Sequence, residues 1–77
     1  MEGTLEQLPC GQRGRVEQLA LPERKRRRLL ELGFVPGAQV TALWRAPFGG
    51  ATAYEVMGAV IALRPADTRL IRLQDTL

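Results

Sequence analysis

Apolar and polar residues alternate over several short stretches, and the period changes to a helical one in a single place. Residues 13–19, RGRVEQL, set Val16 among polar neighbours after a turn at Gly11–Gly14 and predict a strand. Residues 38–44, AQVTALW, alternate and predict another. Residues 52–57, TAYEVM, and 59–64, AVIALR, flank Gly58. Met57 and Gly58 read as a two-residue hairpin turn, which needs positive φ. Residues 69–73, RLIRL, predict the last strand, after a turn at RPADT. Near the start, residues 4–9, TLEQLP, predict an opening strand ended by Pro9.

The helical stretch is 22–32. Pro22 stands where its fixed φ suits a first turn, and Glu23 places an acid at the positive end of the helix dipole. Gly33 follows the last leucine and reads as the C-terminal cap, where a left-handed conformation is cheap only for glycine. At about 100° per residue, Leu29, Leu30 and Leu32 fall on one side, and Arg24, Arg27, Arg28 and Glu31 roughly opposite. Lys25 and Arg26 lie nearer the apolar side, where their methylene stems can cover apolar surface. The C-terminal half of the helix is therefore the part expected to dock. Pro36 and Gly37 then occupy the positions a type II turn favours, and residues 46–51, APFGGA, form a loop. About five short strands with one early helix, punctuated by Gly and Pro, predict a mainly β fold: a small barrel whose closure removes exposed strand edges.

Length narrows the picture. With 77 residues the chain is expected to be one domain, 1–77, with a thin core. There is one cysteine and no histidine, so an internal disulfide is excluded, and a structural zinc site, which needs about four Cys or His ligands, is not expected. A single thiol fits a reducing compartment, and Cys10, between Pro9 and Gly11, is expected to be a half-buried small residue beside a turn. No stretch approaches the roughly 20 apolar residues that span a bilayer. The N-terminus lacks the basic-then-apolar order of a secretory signal. The expectation is a soluble, cytoplasmic protein. Catalysis has little to work with. Histidine and serine are absent, Cys10 has no nameable base, and Glu55 and Asp67 read as surface acids. Gly49–Gly50 lacks the spacing of a phosphate loop.

Charge raises the one functional question. The net charge is +3, and seven of the eleven cations lie between Arg13 and Arg28. Five of them, Arg24 to Arg28, are consecutive. Such a run on a short helix is most simply a solvated face. Nucleic-acid recognition would want aromatics interleaved with the cations, and none of Phe34, Trp44, Phe48 or Tyr54 lies inside the run. A membrane-surface reading would have only three leucines at one end, and the core claims those.

One resemblance covers roughly Thr4 to Leu73. The segment RLLELGFVPGAQV, Arg28 to Val40, followed by Arg45-Ala46-Pro47 and by Ala62-Leu63-Arg64, resembles the FeoA family of small cytosolic proteins of bacterial ferrous-iron uptake. Residues 49–52, GGAT, depart from the family by lacking the acid and proline often found after the loop glycine. The resemblance implies an SH3-like barrel with a helical insertion and no enzymatic activity. It also implies work with FeoB, a membrane permease whose cytosolic part is a GTPase. A related domain forms the C-terminal part of iron-dependent repressors, but this chain has no room for their DNA-binding domain. The expected partner-binding residues are Arg24, Arg27, Arg28, Phe34, Pro47 and Phe48. The expected turn-forming ones are Gly33, Pro36, Gly37 and Gly58. No cofactor, no metal and no nucleic acid is expected. The competing readings are a nucleic-acid-binding barrel using the basic 13–28 region and a metal-sensor module related to the repressor domain.

Overall fold

Two irregularities in otherwise regular strands shape this domain. A computed structural model describes residues 3–74. The strands are β1 (Gly3–Thr4), β2 (Arg13–Leu19), β3 (Gln39–Arg45), β4 (Thr52–Val56), β5 (Ala59–Leu63) and β6 (Ile71–Leu73). Helix α1 (Glu23–Leu32) joins β2 to β3, and a single-turn helix α2 (Pro65–Thr68) joins β5 to β6. All pairings are antiparallel, in the spatial order β1-β6-β2-β3-β4-β5. The first half of β2, Arg13–Arg15, pairs with β3. Its second half pairs with β6, with a register shift between Val16 and Gln18. A bulge bends a strand and increases its twist, so one strand serves two sheets and folds them over a common core.

The second irregularity lies in β3. Ala42 faces Tyr54 and Trp44 faces Ala53, so two steps on β3 match one on β4 and Leu43 is the extra residue. Val40 and Ala42 point inward and are fully buried. Simple alternation would send Trp44 inward after them. The bulge pairs it with Ala53 instead, on the face of β4 opposite Tyr54; Ala53 itself is buried, and Trp44 is 62% exposed.

Local chemistry explains the helix limits. Pro22 is extended, at φ −55 and ψ 153, and precedes the helix rather than opening its first turn. At the other end Gly33 has φ 113. Its N–H donates to the Leu30 carbonyl at 3.1 Å, and the Phe34 N–H donates to that of Leu29 at 3.0 Å. This is a Schellman cap, and the apolar contact such caps carry is supplied by Leu29 and Phe34, both buried in the core. Val35, Pro36, Gly37 and Ala38 form a type II turn, with Ala38 N–H donating to the Val35 carbonyl at 2.9 Å and Gly37 at φ 91. Met57 and Gly58, at φ 52 and 81, form a type I′ hairpin turn.

Several sequence expectations need correction. Residues 4–9 are not a strand: only Gly3–Thr4 pairs, and Leu5–Gln7 turn as a 3₁₀ helix that buries Leu5 beneath Tyr54. The RPADT turn is the short helix α2, which leaves the last strand only Ile71–Leu73. Leu32 is 37% exposed while Leu29 is buried, because Leu32, four residues after Arg28, stands on the solvated side of the helix rather than with Leu29 and Leu30. Cys10 is exposed rather than half-buried, although the turn that carries it is tied to β3 through the Gly11 N–H and the Ala42 carbonyl. The sheet is not closed by hydrogen bonds, because β5 has no strand on its far side among the described residues.

Gly33 is doubly constrained. A Cβ there would stand 2.7 Å from Met57 Cγ, in addition to the cost of φ 113. Gly37 has the same backbone demand and nothing within 4 Å. We expect Gly33→Ala to lose more than the roughly 1 kcal/mol of the backbone term alone, a fall in Tm of about 4–8 °C per kcal/mol. Gly37→Ala should lose the backbone term only. Met57→Ala should relieve part of the Gly33→Ala loss, and a strictly additive double mutant in thermal melts would disprove the contact.

Tyr54 is 1% exposed and its hydroxyl donates to the Leu5 carbonyl at 3.4 Å. Burial raises its pKa above the ordinary 10.0. The folded state therefore holds its proton more tightly than the unfolded state, so this stability is present below pH 10 and lost as pH rises through the folded pKa. As the only tyrosine, it should titrate above pH 10 by tyrosinate absorbance when folded and at the ordinary value in denaturant. Tyr54→Phe should flatten the alkaline fall in stability.

Candidate functional site

The basic helix comes first. Arg24, Lys25, Arg26, Arg27 and Arg28 are all exposed. Arg27 pairs with Glu23 at 3.0 Å, one turn earlier, and Lys25 bonds Asp67 of α2 at 3.1 Å. Exposed pairs of this kind contribute about 0–1 kcal/mol, so Lys25–Asp67 orients the helix more than it stabilises it. Arg24 and Arg28 have no bonded partner among the described residues. They stand four apart, hence on one side of the helix, and Leu32 continues the line one turn later. Beyond Leu32 the apolar surface goes on: Val35 is 39% exposed, and Met57, against Gly33, is 73% exposed. A cationic stripe thus runs onto an apolar patch at the helix C-terminus.

Phe34 cannot belong to a binding surface. It is 0% exposed. As the residue after the cap glycine it turns back under the helix and packs in the core, which corrects its expected role in partner binding.

Pro47 and Phe48 lie elsewhere. Residues 46–51 join β3 to β4 at one end of β4, whereas Met57 and the helix cap lie at its other end. The structure therefore does not bring Pro47 and Phe48 together with the apolar patch beyond Arg28. The loop is tightly built. Gly50 N–H donates to the Pro47 carbonyl at 3.3 Å and Ala46 N–H to that of Ala51 at 2.9 Å. Phe48 and Gly49, at φ 60 and 72, occupy the centre of a type I′ turn, a place favoured by Asn, Asp and Gly. A bulky residue in that conformation is an outlier, and Phe48 is fully exposed as well. The base is clamped by Arg45, whose Nε donates to Thr52 Oγ1 at 3.1 Å and whose guanidinium donates to the Glu6 carbonyl at 3.0 Å. A strained, solvated aromatic on a braced loop is a candidate contact residue.

Sequence reasoning missed Trp44, Met57 and Val60, at 62%, 73% and 58% exposure. Trp44 and Val60 read locally as parts of apolar strands, and only the tertiary register turns them outward, while Met57 is exposed as a residue of the hairpin turn. Among the described residues no group of three His, Cys, Asp or Glu side chains could hold a metal ion, and no helix is long and apolar enough to cross a membrane.

Comparison with known proteins places this geometry. The FeoA domain family model matches residues 3–75. The chain belongs to the FeoA domain family. Among solved structures, the FeoA protein of Chlorobium tepidum is 30% identical with a TM-score of 0.90, over 96% of this chain and 70% of that one. FeoA of Stenotrophomonas maltophilia, crystallised with zinc and described as a prokaryotic SH3 domain protein, is 29% identical with a TM-score of 0.81, over 92% and 88%. A manganese-dependent transcriptional repressor shares the fold at 18% identity and a TM-score of 0.82, this chain spanning 40% of its length. No curated protein gives a significant sequence match. The FeoA domain thus has the mainly β architecture expected from its strand pattern and the SH3-like form that the resemblance implied.

Phe48 yields a stability test. A left-handed residue with a large side chain costs about 1–2 kcal/mol, and asparagine tolerates that conformation better. Phe48→Asn should raise Tm by several degrees, at about 4–8 °C per kcal/mol. An unchanged or lower Tm would show that the turn is not strained.

Proposed function

We propose that this FeoA domain is a non-enzymatic, cytosolic accessory of ferrous-iron uptake that docks on the cytosolic GTPase part of an FeoB-like permease. The observation that carries this reading is the stripe Arg24–Arg28–Leu32 running onto Val35 and Met57. A merely solvated face would not end in large exposed apolar side chains. A nucleic-acid face would place aromatics among the cations, and none is there. The mixed surface suits a protein with an acidic rim around an apolar depression, where charge speeds encounter and apolar burial holds the complex. The description of the Stenotrophomonas maltophilia protein as a candidate activating factor for bacterial ferrous-iron transport supports the same role. Phe48, on its braced loop, supplies a separate anchor at the other end of β4.

Titration calorimetry against the isolated GTPase domain tests the proposal. Arg24→Glu/Arg27→Glu/Arg28→Glu should leave circular dichroism and melting nearly unchanged, because those side chains are exposed. It should weaken binding most at low salt, and the difference should fade as ionic strength rises. Leu32→Ala/Met57→Ala should weaken binding at all salt concentrations. Wild-type affinity in both variants would reduce the helix to a solvated face. Micromolar binding of duplex or single-stranded nucleic acid at physiological salt, with a steep salt slope, would replace the reading.

A further inference from the structure

Strand β5 ends the sheet, and nothing about it guards that end. It pairs with β4 on one side and with no strand on the other among the described residues. Proteins usually blunt such edges with charge, proline or a bulge. Ala59–Leu63 carries none of these: its sequence is AVIAL and its pairing with β4 is unbroken. Ala59, Val60 and Ala62 are exposed.

The hydrogen-bond phase of the edge follows from the hairpin. Val56 and Ala59 close the two-residue turn and form a hydrogen-bonded pair, so Ala59, Ile61 and Leu63 direct their backbone groups to β4. The N–H and C=O groups of Val60 and Ala62 point to the open side. Two antiparallel copies of this edge match each other in one register. Val60 of each faces Ala62 of the other, both pairs exchange their N–H···O bonds, and a two-fold axis passes between the two Ile61 residues. Shifting the register by two residues would leave Val60 or Ala62 facing its own copy and take the other out of the strand.

Charge agrees with this register. The strand itself has no charge, and the two Arg64 side chains lie about 20 Å apart at its ends, beyond the screening length of about 10 Å. On the outer face, Arg64 of one copy comes within about 12 Å, Cα to Cα, of Glu55 in the other, at two strand spacings and two residue steps. An extended Arg and Glu can span that distance, and the symmetry makes two such pairs.

We propose that the FeoA domain forms a two-fold homodimer by antiparallel pairing of β5 with β5 of a second copy, joining the two sheets. A five-residue strand buries less than a standard interface of about 1,600 Å², so the dimer is a concentration-dependent one, formed between about 10 µM and 1 mM. None of the helix cations and no residue of the Phe48 loop takes part, so this proposal stands or falls apart from the docking one.

Sedimentation velocity over that concentration range should show monomer passing to dimer. In a Cys10→Ala background, Ile61→Cys should oxidise to a disulfide dimer, because non-hydrogen-bonded antiparallel pairs hold Cα atoms about 4.5 Å apart, within bridging range. Val60→Cys should not, since its copies would be roughly 8 Å apart on the diagonal, beyond that range. Val60→Lys/Ala62→Lys changes only exposed side chains. It should keep the monomer's circular dichroism and raise the dimer Kd by about tenfold or more. Sedimentation as a monomer throughout, cross-linking as ready at Val60 as at Ile61, or an unchanged Kd in the lysine variant would each overturn the pairing.

Discussion

The close approach of the α1 cap to the β4–β5 hairpin organises the rest of this domain. Gly33 can come so near Met57 only because it has no Cβ, and the same glycine supplies the left-handed turn that ends the helix. One residue therefore sets both the length of the helix and its seat on the barrel. Phe34 follows from it, swung under the helix by the cap and buried completely. Met57 lies beside the junction and is 73% exposed. The apolar end of the basic stripe sits at that junction.

The barrel beneath depends on strands that bend. At this size a flat sheet could not enclose a core, and no disulfide compensates. The register shift in β2 lets one strand belong to two sheets. The 3₁₀ turn at Leu5–Gln7 then fills one end, held by Tyr54 through the Leu5 carbonyl and by Arg45 through that of Glu6. Arg45 thus links the N-terminal plug to the root of the Phe48 loop, which gives that loop a firm base on which to carry strain.

Three features of the surface run against stability: an exposed phenylalanine in a left-handed conformation, apolar side chains around the helix end, and an unguarded strand edge. Sequences selected for folding alone seldom keep such features. They lie at different places on the domain, which fits a small module that meets more than one surface.

Much of this was written in short-range sequence. The helix limits, the cap at Gly33, the type II turn at Pro36–Gly37 and the Met57–Gly58 hairpin all rest on interactions within five residues, and the residue types there admit few alternatives. Leu5–Gln7 and Pro65–Thr68 were misread because single helical turns are too brief to show a period. The facing of side chains was not legible. Trp44 points outward because Leu43 is inserted against β4, and Phe34 inward because the cap reverses the chain. Of the expected contact residues, the arginines are exposed simply because charge avoids the core. The exposure of Phe48 and the open edge of β5 were decided by tertiary structure alone. A two-residue period states that neighbours lie on opposite faces, but only the pairing of distant strands states which face is the inside and which strand is left without a neighbour.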